Sequence, residues 1–220
     1  MFEFNASNCF CISLSQGDRW IKMQRRLQNT GLEVTLIPAS IGGTSDIMDP
    51  FVHYLNDGQK GCAQSHIRLW RHILDQNLPY ALILEDDACF DKNWRETLNS
   101  LTLKISESNS ENWDLIMLNA SEPCEPIHQW VPCKEQYLTA GYILSLNGAK
   151  KVLEMFHGEY YASDWMISRL QLYGQSYCYF PWLIIQEGNE STIGSGYKED
   201  HLKVLRCLNA IQYNLDHYDV

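Results

Sequence analysis

The sequence predicts an α/β fold, a mixed and mostly parallel sheet flanked by helices in a single domain, and three observations carry the prediction. The run Tyr80-Ala81-Leu82-Ile83-Leu84 has the unbroken apolar character of a strand buried on both faces, and it delivers the acids Glu85-Asp86-Asp87 at its carboxyl end. Other short apolar runs alternate along the chain with stretches of helical periodicity, the pattern of a layered α/β sheet. A chain of 220 residues that is 45% hydrophobic can bury one full core, so a second domain is not needed.

Each element follows from local chemistry. Residues 9–14 form an apolar first strand, and the polar turn Ser15-Gln16-Gly17-Asp18 leads into a helix on which Trp20, Met23 and Leu27 share a face. A second strand, residues 34–37, stops at Pro38, and residues 41–56 have no sustained period and read as a loop. Residues 61–76 place Ala63, Ile67, Trp70 and Leu74 on one helical face, and Asn77-Leu78-Pro79 ends that helix before the acidic strand. A helix is expected over 91–105, a polar connector over 107–112 and a strand over 113–118. Residues 121–134, rich in Pro and Cys, form an excursion. A strand at 141–144, helices at 148–156 and 164–173, an extended stretch at 177–185 broken by Pro181, and a terminal helix at 202–215 complete the order.

The formal net charge of -10 disfavours nonspecific binding to nucleic acid or anionic lipid, so an anionic ligand needs a cation or local donors. Of the eight cysteines, Cys9, Cys11, Cys62, Cys89 and Cys178 lie in or beside apolar runs, as core thiols do, and only Cys124 and Cys133 suggest a bridge. With no basic-then-apolar leader and no stretch near 18 apolar residues, the expectation is a cytoplasmic chain without a transmembrane segment. No CxxC or HExxH motif supports zinc.

In open α/β sheets the ligand crevice lies outside the carboxyl ends of the strands, where Glu85, Asp86 and Asp87 fall. Crowded carboxylates need compensation, and hard ions such as Mg2+ or Mn2+ take oxygen ligands, so the triplet reads as a metal-diphosphate site. The competing reading is a solvated turn and helix start ahead of Asp91 and Trp94. If the strand alternation persisted, Glu85 and Asp87 would project to one side and Asp86 to the other.

Four segments together resemble glycosyltransferase family 25, the group that includes bacterial lipooligosaccharide galactosyltransferases and procollagen galactosyltransferase domains. They are Cys11-Ile12-Ser13-Leu14 with Asp18-Arg19, the helix Gly61-Cys62-Ala63-Gln64-Ser65-His66-Ile67-Arg68-Leu69-Trp70, the strand Ala81 to Asp87, and a looser set. That last set comprises Gly141-Tyr142, Gly148-Ala149-Lys150, Asp164-Trp165 and Gln186-Glu187-Gly188-Asn189-Glu190-Ser191-Thr192. The resemblance implies a GT-A type fold, a UDP-sugar donor, a divalent metal, Mn2+ or Mg2+, and inversion at the anomeric carbon. It further implies a glycan or collagen-like acceptor, with residues of about 9–120 as the nucleotide-sugar half and 121–220 as the acceptor half. The family's usual Asn at the end of the first strand is Ser13 here.

On that resemblance, Asp87 is the expected direct metal ligand, and Glu85 or Asp86 holds ribose or a metal-bound water. His201 or Glu190-Ser191 would close over the metal, while Ser13, Leu14, Arg19, Gly61, Ser65 and His66 would contact the nucleotide or diphosphate. His201 reads equally well as a surface histidine, His66 as a structural one, and Arg19 as a solvated helix-start arginine. An inverting transfer needs a base, and Asp164 beside Trp165 is the candidate, in competition with a helix N-cap. Tyr160, Tyr161, Trp165, Trp182 and Tyr197 are the candidates for sugar stacking, and Trp70 reads as core. Two other classes share parts of this pattern: a metal-dependent phosphohydrolase, and a carbohydrate- or nucleotide-binding domain without turnover.

Overall fold

Burial on both faces decides the centre of the sheet. In the computed structural model, which describes residues 2–14, 17–107, 113–188 and 197–220, β1 (Cys9–Ser13) and β3 (Tyr80–Glu85) run parallel with Ile12 opposite Glu85. On the far side of β1 lies β2 (Thr35–Pro38), and on the far side of β3 lies β7 (Gly141–Ser145). The sheet continues through β5 (Leu115–Met117), β8 (Ser176–Cys178) and β6 (Val131–Pro132), giving the order β2-β1-β3-β7-β5-β8-β6. Strands β1, β2, β3, β5 and β8 point one way and β7 and β6 the other, so the sheet is mixed and mostly parallel.

The strand alternation feeds two cores. Phe10, Ile12 and Ile83 face a layer with Ile67, Trp70, Val152 and Ile167 from α2 (Asp57–Asp75), α4 (Leu146–Met155) and α5 (Ser163–Tyr173). Cys9, Cys11, Leu82 and Leu84 face the opposite layer, built on Met23 and Leu27 of α1 (Asp18–Thr30) and Leu98 and Leu101 of α3 (Trp94–Glu107). Among the described residues, no helix is long and apolar enough to cross a membrane.

Three elements differ from expectation, each for a local reason. Helix α2 begins four residues earlier than its apolar face, because Asn56 and Gln59 form a reciprocal capping box at its start. The acidic turn leads not into a helix but into β4 (Ala88–Phe90), which pairs antiparallel with β9 (Ile184–Gln186) as a separate two-stranded sheet. Helix α3 therefore starts at Trp94, after Asp91 has accepted the Asn93 backbone N–H at 2.7 Å. The terminal helix α6 (Tyr197–Ala210) is followed by a short 3-10 turn, and the chain end is tied to β4 through Asp219 N–H to the Phe90 carbonyl, 2.9 Å. All eight cysteines are free thiols, so the suspected Cys124–Cys133 bridge is absent.

One polar knot fastens the helical layer. Asp114, nearly fully buried, accepts Asn147 Nδ2 and Lys151 Nζ, each at 2.7 Å, and the Gln175 backbone N–H at 2.8 Å. Its carbonyl lies where a Cβ on Gly148 would come within 2.2 Å, so only glycine lets α4 start against it. Gly148→Ala is expected to lower stability by about 1–3 kcal/mol, as overpacking does. The check is a lower denaturant midpoint at unchanged slope; an unchanged midpoint would contradict it.

Candidate functional site

Strand β3 ends at Glu85, and the chain turns through Asp86 and Asp87 before β4 begins. The strand alternation stops there, so the condition for Glu85 and Asp87 to share a side is not met. Asp86 and Asp87 instead converge on one cation: Arg19 Nη2 lies 2.5 Å from Asp86 Oδ1 and 3.2 Å from Asp87 Oδ2. Ser13 Oγ donates to the other oxygen of Asp86 at 2.7 Å, so the end of β1 braces the turn after β3. Both aspartates are buried, while Leu14, which follows Ser13, is exposed.

Glu85 turns the other way, into the layer between the sheet and α2. Its Oε1 accepts from Thr139 Oγ1 at 2.6 Å and meets His66 Nε2 at 3.1 Å. Burial pushes the Glu85 pKa up, but the His66 and Thr139 hydrogen bonds outweigh it and hold the carboxyl below its ordinary value. His66 Nδ1 lies 2.8 Å from the hydroxyl of Tyr142, which accepts Trp70 Nε1–H at 2.9 Å. An ionised carboxylate only accepts, so a neutral His66 carries its proton on Nε2 and receives the Tyr142 hydroxyl proton at Nδ1. The result is one directed, fully satisfied buried chain from Trp70 through Tyr142 and His66 to Glu85.

The remaining predicted residues divide into two groups. Ser65 is fully buried, donates to the Gly61 carbonyl at 2.7 Å and accepts the Ser40 backbone N–H at 2.8 Å. A Cβ on Gly61 would lie 2.5 Å from the Ser40 carbonyl, so both residues pin the 39–43 loop on α2. Because α2 starts at Asp57, His66 sits in mid-helix rather than near its positive end. His201 of α6 packs its ring on Gly188, and the neighbouring Glu187 backbone N–H bonds the Asp87 carbonyl at 2.9 Å. Burial lowers the His201 pKa, opposed by the Gln186 backbone, and its Nδ1 has no hydrogen-bond partner among the described residues. Glu190 and Ser191 lie outside the described residues.

Asp164 sits in the first turn of α5, whose cap position is Ala162, so it is not the N-cap. Its Oδ1 accepts the Trp165 backbone N–H at 2.7 Å. Burial raises its pKa and the nearby Glu85 charge raises it further, against the lowering effects of the Trp165 N–H and His66. Next to it Tyr161 stacks on Trp165 at 4.4 Å between centroids, and Arg169 lies 4.7 Å over Trp165. Trp182 and Tyr160 are core residues, which removes them as sugar platforms. Tyr197 carries no described side chain.

The donor chemistry divides in the same way. Asp86 Oδ1 and Asp87 Oδ2 are hard oxygen donors converging on a point that already attracts a cation, which fits Mg2+ or Mn2+. Cys62 Sγ, His66 and Glu85 offer a second set of ligand atoms, all within 4.8 Å of one another. There the proton on His66 Nε2 already binds Glu85, so the hydrogen-bond chain occupies the geometry. Sequence reasoning missed Thr139 and gave Tyr142 no role beyond the Gly141-Tyr142 match; Tyr142 lies in an apolar run and gives no sign that its hydroxyl is in use.

The α/β sheet brings buried Asp86 and Asp87 and part-buried Glu85 to the carboxyl end of a central strand, the side on which the ligand crevice of open α/β sheets lies. The family model described as Glycosyltransferase family 25 (LPS biosynthesis protein) matches residues 6–167, and the chain belongs to that family. Procollagen galactosyltransferase 1-A of Xenopus laevis is 32% identical over 168 residues, covering 66% of this chain and 27% of its own length. Procollagen galactosyltransferase 2 of Homo sapiens is 29% identical with the same coverage. Inactive glycosyltransferase 25 family member 3 of Homo sapiens is 29% identical over 144 residues, 62% of this chain and 22% of its own length. The chain thus spans about a quarter of the length of these relatives. The solved structure of A197 from STIV overlays with a TM-score of 0.41 at 8% identity, covering 85% of this chain and 96% of that one, too loosely to bear on function.

The raised Asp164 pKa has a stability consequence of fixed sign. A carboxyl whose folded pKa is raised favours folding only below its unfolded pKa, and that contribution is lost as pH rises through the folded value. Asp164→Asn is therefore expected to match or exceed the native chain in stability at neutral pH. The difference should shrink well below the ordinary Asp pKa of about 3.9. Denaturant unfolding across pH checks this, and an Asn variant destabilised equally at neutral and acid pH would contradict it.

Proposed function

We propose that this chain is a glycosyltransferase domain that moves a hexose, galactose or glucose, from a UDP-sugar to a hydroxyl group with inversion. The acceptor is a glycan or hydroxylysine in a collagen-like protein. The reading rests on family membership and on one observation above the rest: Asp86 and Asp87 converge at the carboxyl end of β3, while Asp164, raised in pKa by burial and by the Glu85 charge, lies on the side to which Glu85 turns. The names of the procollagen galactosyltransferase relatives support galactose and a collagen-like acceptor. The relative named inactive supports a second reading, a binding domain of the same fold without turnover.

In this proposal the fold is of the GT-A type, residues of about 9–120 bind the donor and residues 121–220 the acceptor. Asp87 and Asp86 hold a divalent ion, with His201, packed on Gly188, the candidate further ligand; Glu85, engaged by His66 and Thr139, is the least available of the three acids. When bound, the ion supplies Lewis-acid neutralisation of the charge developing on the diphosphate. Asp164 takes the proton from the acceptor hydroxyl as it attacks the anomeric carbon, and a raised pKa suits a base working near neutrality. Tyr161 and Trp165 offer a flat face beside that base for the acceptor. The free thiols accord with a reducing compartment.

Thermal melting with UDP tests the donor site. A ligand at a hundred times its dissociation constant adds about 2.7 kcal/mol of apparent stability. UDP with Mn2+ is expected to raise the melting temperature more than UDP in chelator, and Asp87→Ala to abolish the metal-dependent part. Equal shifts with and without Mn2+ would refute the metal. For the base, Asp164→Asn is expected to lower transfer by about a hundredfold to ten-thousandfold with UDP binding intact. A folded Asn variant with near-normal turnover would move the base elsewhere. Absence of Mn2+-dependent donor hydrolysis and transfer in the native chain would favour the binding-domain reading.

A further inference from the structure

We propose that Arg19 is a built-in counter-cation that occupies the divalent-ion position and must leave it before a metal binds, so that metal and diphosphate bind as a coupled pair. This rests on the donor-and-metal reading proposed above and adds how the site is regulated. A single nitrogen, Nη2, bridges Asp86 Oδ1 at 2.5 Å and Asp87 Oδ2 at 3.2 Å. A hard ion drawing on the same two oxygens, at the roughly 2.0–2.1 Å that Mg2+ takes, competes for that one place. Glu85 does not enter the competition, because Thr139 and His66 already satisfy it.

The surroundings allow the exchange. Arg19 is the second residue of α1 and its side chain is one-third exposed, so it can swing out without opening either core. Asp86 stays in place when it leaves, because Ser13 Oγ holds the carboxylate from the end of β1. Water alone is a poor exchange for two carboxylates, which makes a metal ion by itself a weak ligand. A diphosphate changes the balance, since a guanidinium pairs with phosphate oxygens through two parallel N–H donors. Arg19 then moves from acids to phosphate as the metal takes the acids, and each ligand raises the affinity of the other by the same factor.

The test is Mn2+ binding, read as loss of the free-ion paramagnetic resonance signal, with and without UDP. The native chain is compared with Arg19→Gln, Arg19→Met and Lys22→Gln, the last removing a positive charge one turn further along α1. In the native chain UDP is expected to tighten Mn2+ binding about tenfold or more, within the usual range of coupling between sites. Both Arg19 variants, without UDP, are expected to bind Mn2+ about fivefold or more tightly than the native chain, with melting temperatures showing them folded. Lys22→Gln, which removes a charge and the Lys22–Glu187 ion pair without touching the Asp86 or Asp87 carboxylate, is expected to shift Mn2+ affinity about twofold or less. Arg19 variants that bind Mn2+ no more tightly than the native chain, or no more tightly than Lys22→Gln, overturn the proposal while leaving the metal site standing. Absence of Mn2+ binding in every variant, even with UDP, overturns the metal reading and this inference together.

Discussion

The rest of this structure depends on how one buried carboxylate, Glu85, is satisfied. An unpaired acid at the end of a strand with apolar neighbours on both sides would cost several kcal/mol or take up a proton. Here Thr139 and His66 meet it, and His66 is itself fixed by Tyr142 and Trp70, so the charge is anchored through three elements: α2, β3 and β7. That anchor lies where β3 stops. The turn that follows can then present Asp86 and Asp87 together, whereas a continued strand would have sent them to opposite faces.

Positive charge is scarce in this chain and is concentrated where the acids are. Arg19, Lys22 and Arg26 recur at three- and four-residue spacing along one edge of α1. Arg19 meets Asp86 and Asp87, while Lys22 and Arg26 clasp Glu187, and Arg26 also binds the Asp219 carbonyl at 3.0 Å. One helix edge thereby joins the acidic turn, the end of β9 and the carboxyl terminus. A net charge of -10 is compatible with an anionic ligand only because such local compensation exists.

Much of this was legible in the sequence, and the gaps have physical causes. The strand 80–85 and its terminal acids were readable because a doubly buried strand needs an unbroken apolar run, and the face of α2 because its period spans a long helix. The pair β4 and β9 was not readable: each is three residues long, and the partners are far apart in the chain. The early start of α2 lay in the Asn56 and Gln59 cap, which polar composition made look like loop. In the site, alternation could not place Asp86, because it holds only while a strand continues and β3 ends at Glu85. Trp70 was read as packing, which it is, and Tyr142 as part of a strand; that their polar atoms orient a histidine shows only in three dimensions. Trp182 and Tyr160 fell the other way, chosen as exposed platforms yet buried in the core. The basic edge of α1 was present as spacing and went unread.

The central claim is that a directed hydrogen-bond chain, ending in an ionised Glu85, organises the site. Nitrogen NMR of the His66 imidazole in selectively labelled protein tests it most directly, because the two ring nitrogens report which one carries the proton. The account predicts a proton on Nε2, with an Nδ1 hydrogen bond that is lost in Tyr142→Phe. A ring protonated at Nδ1 alone would contradict it, since Nε2 could then donate nothing to Glu85.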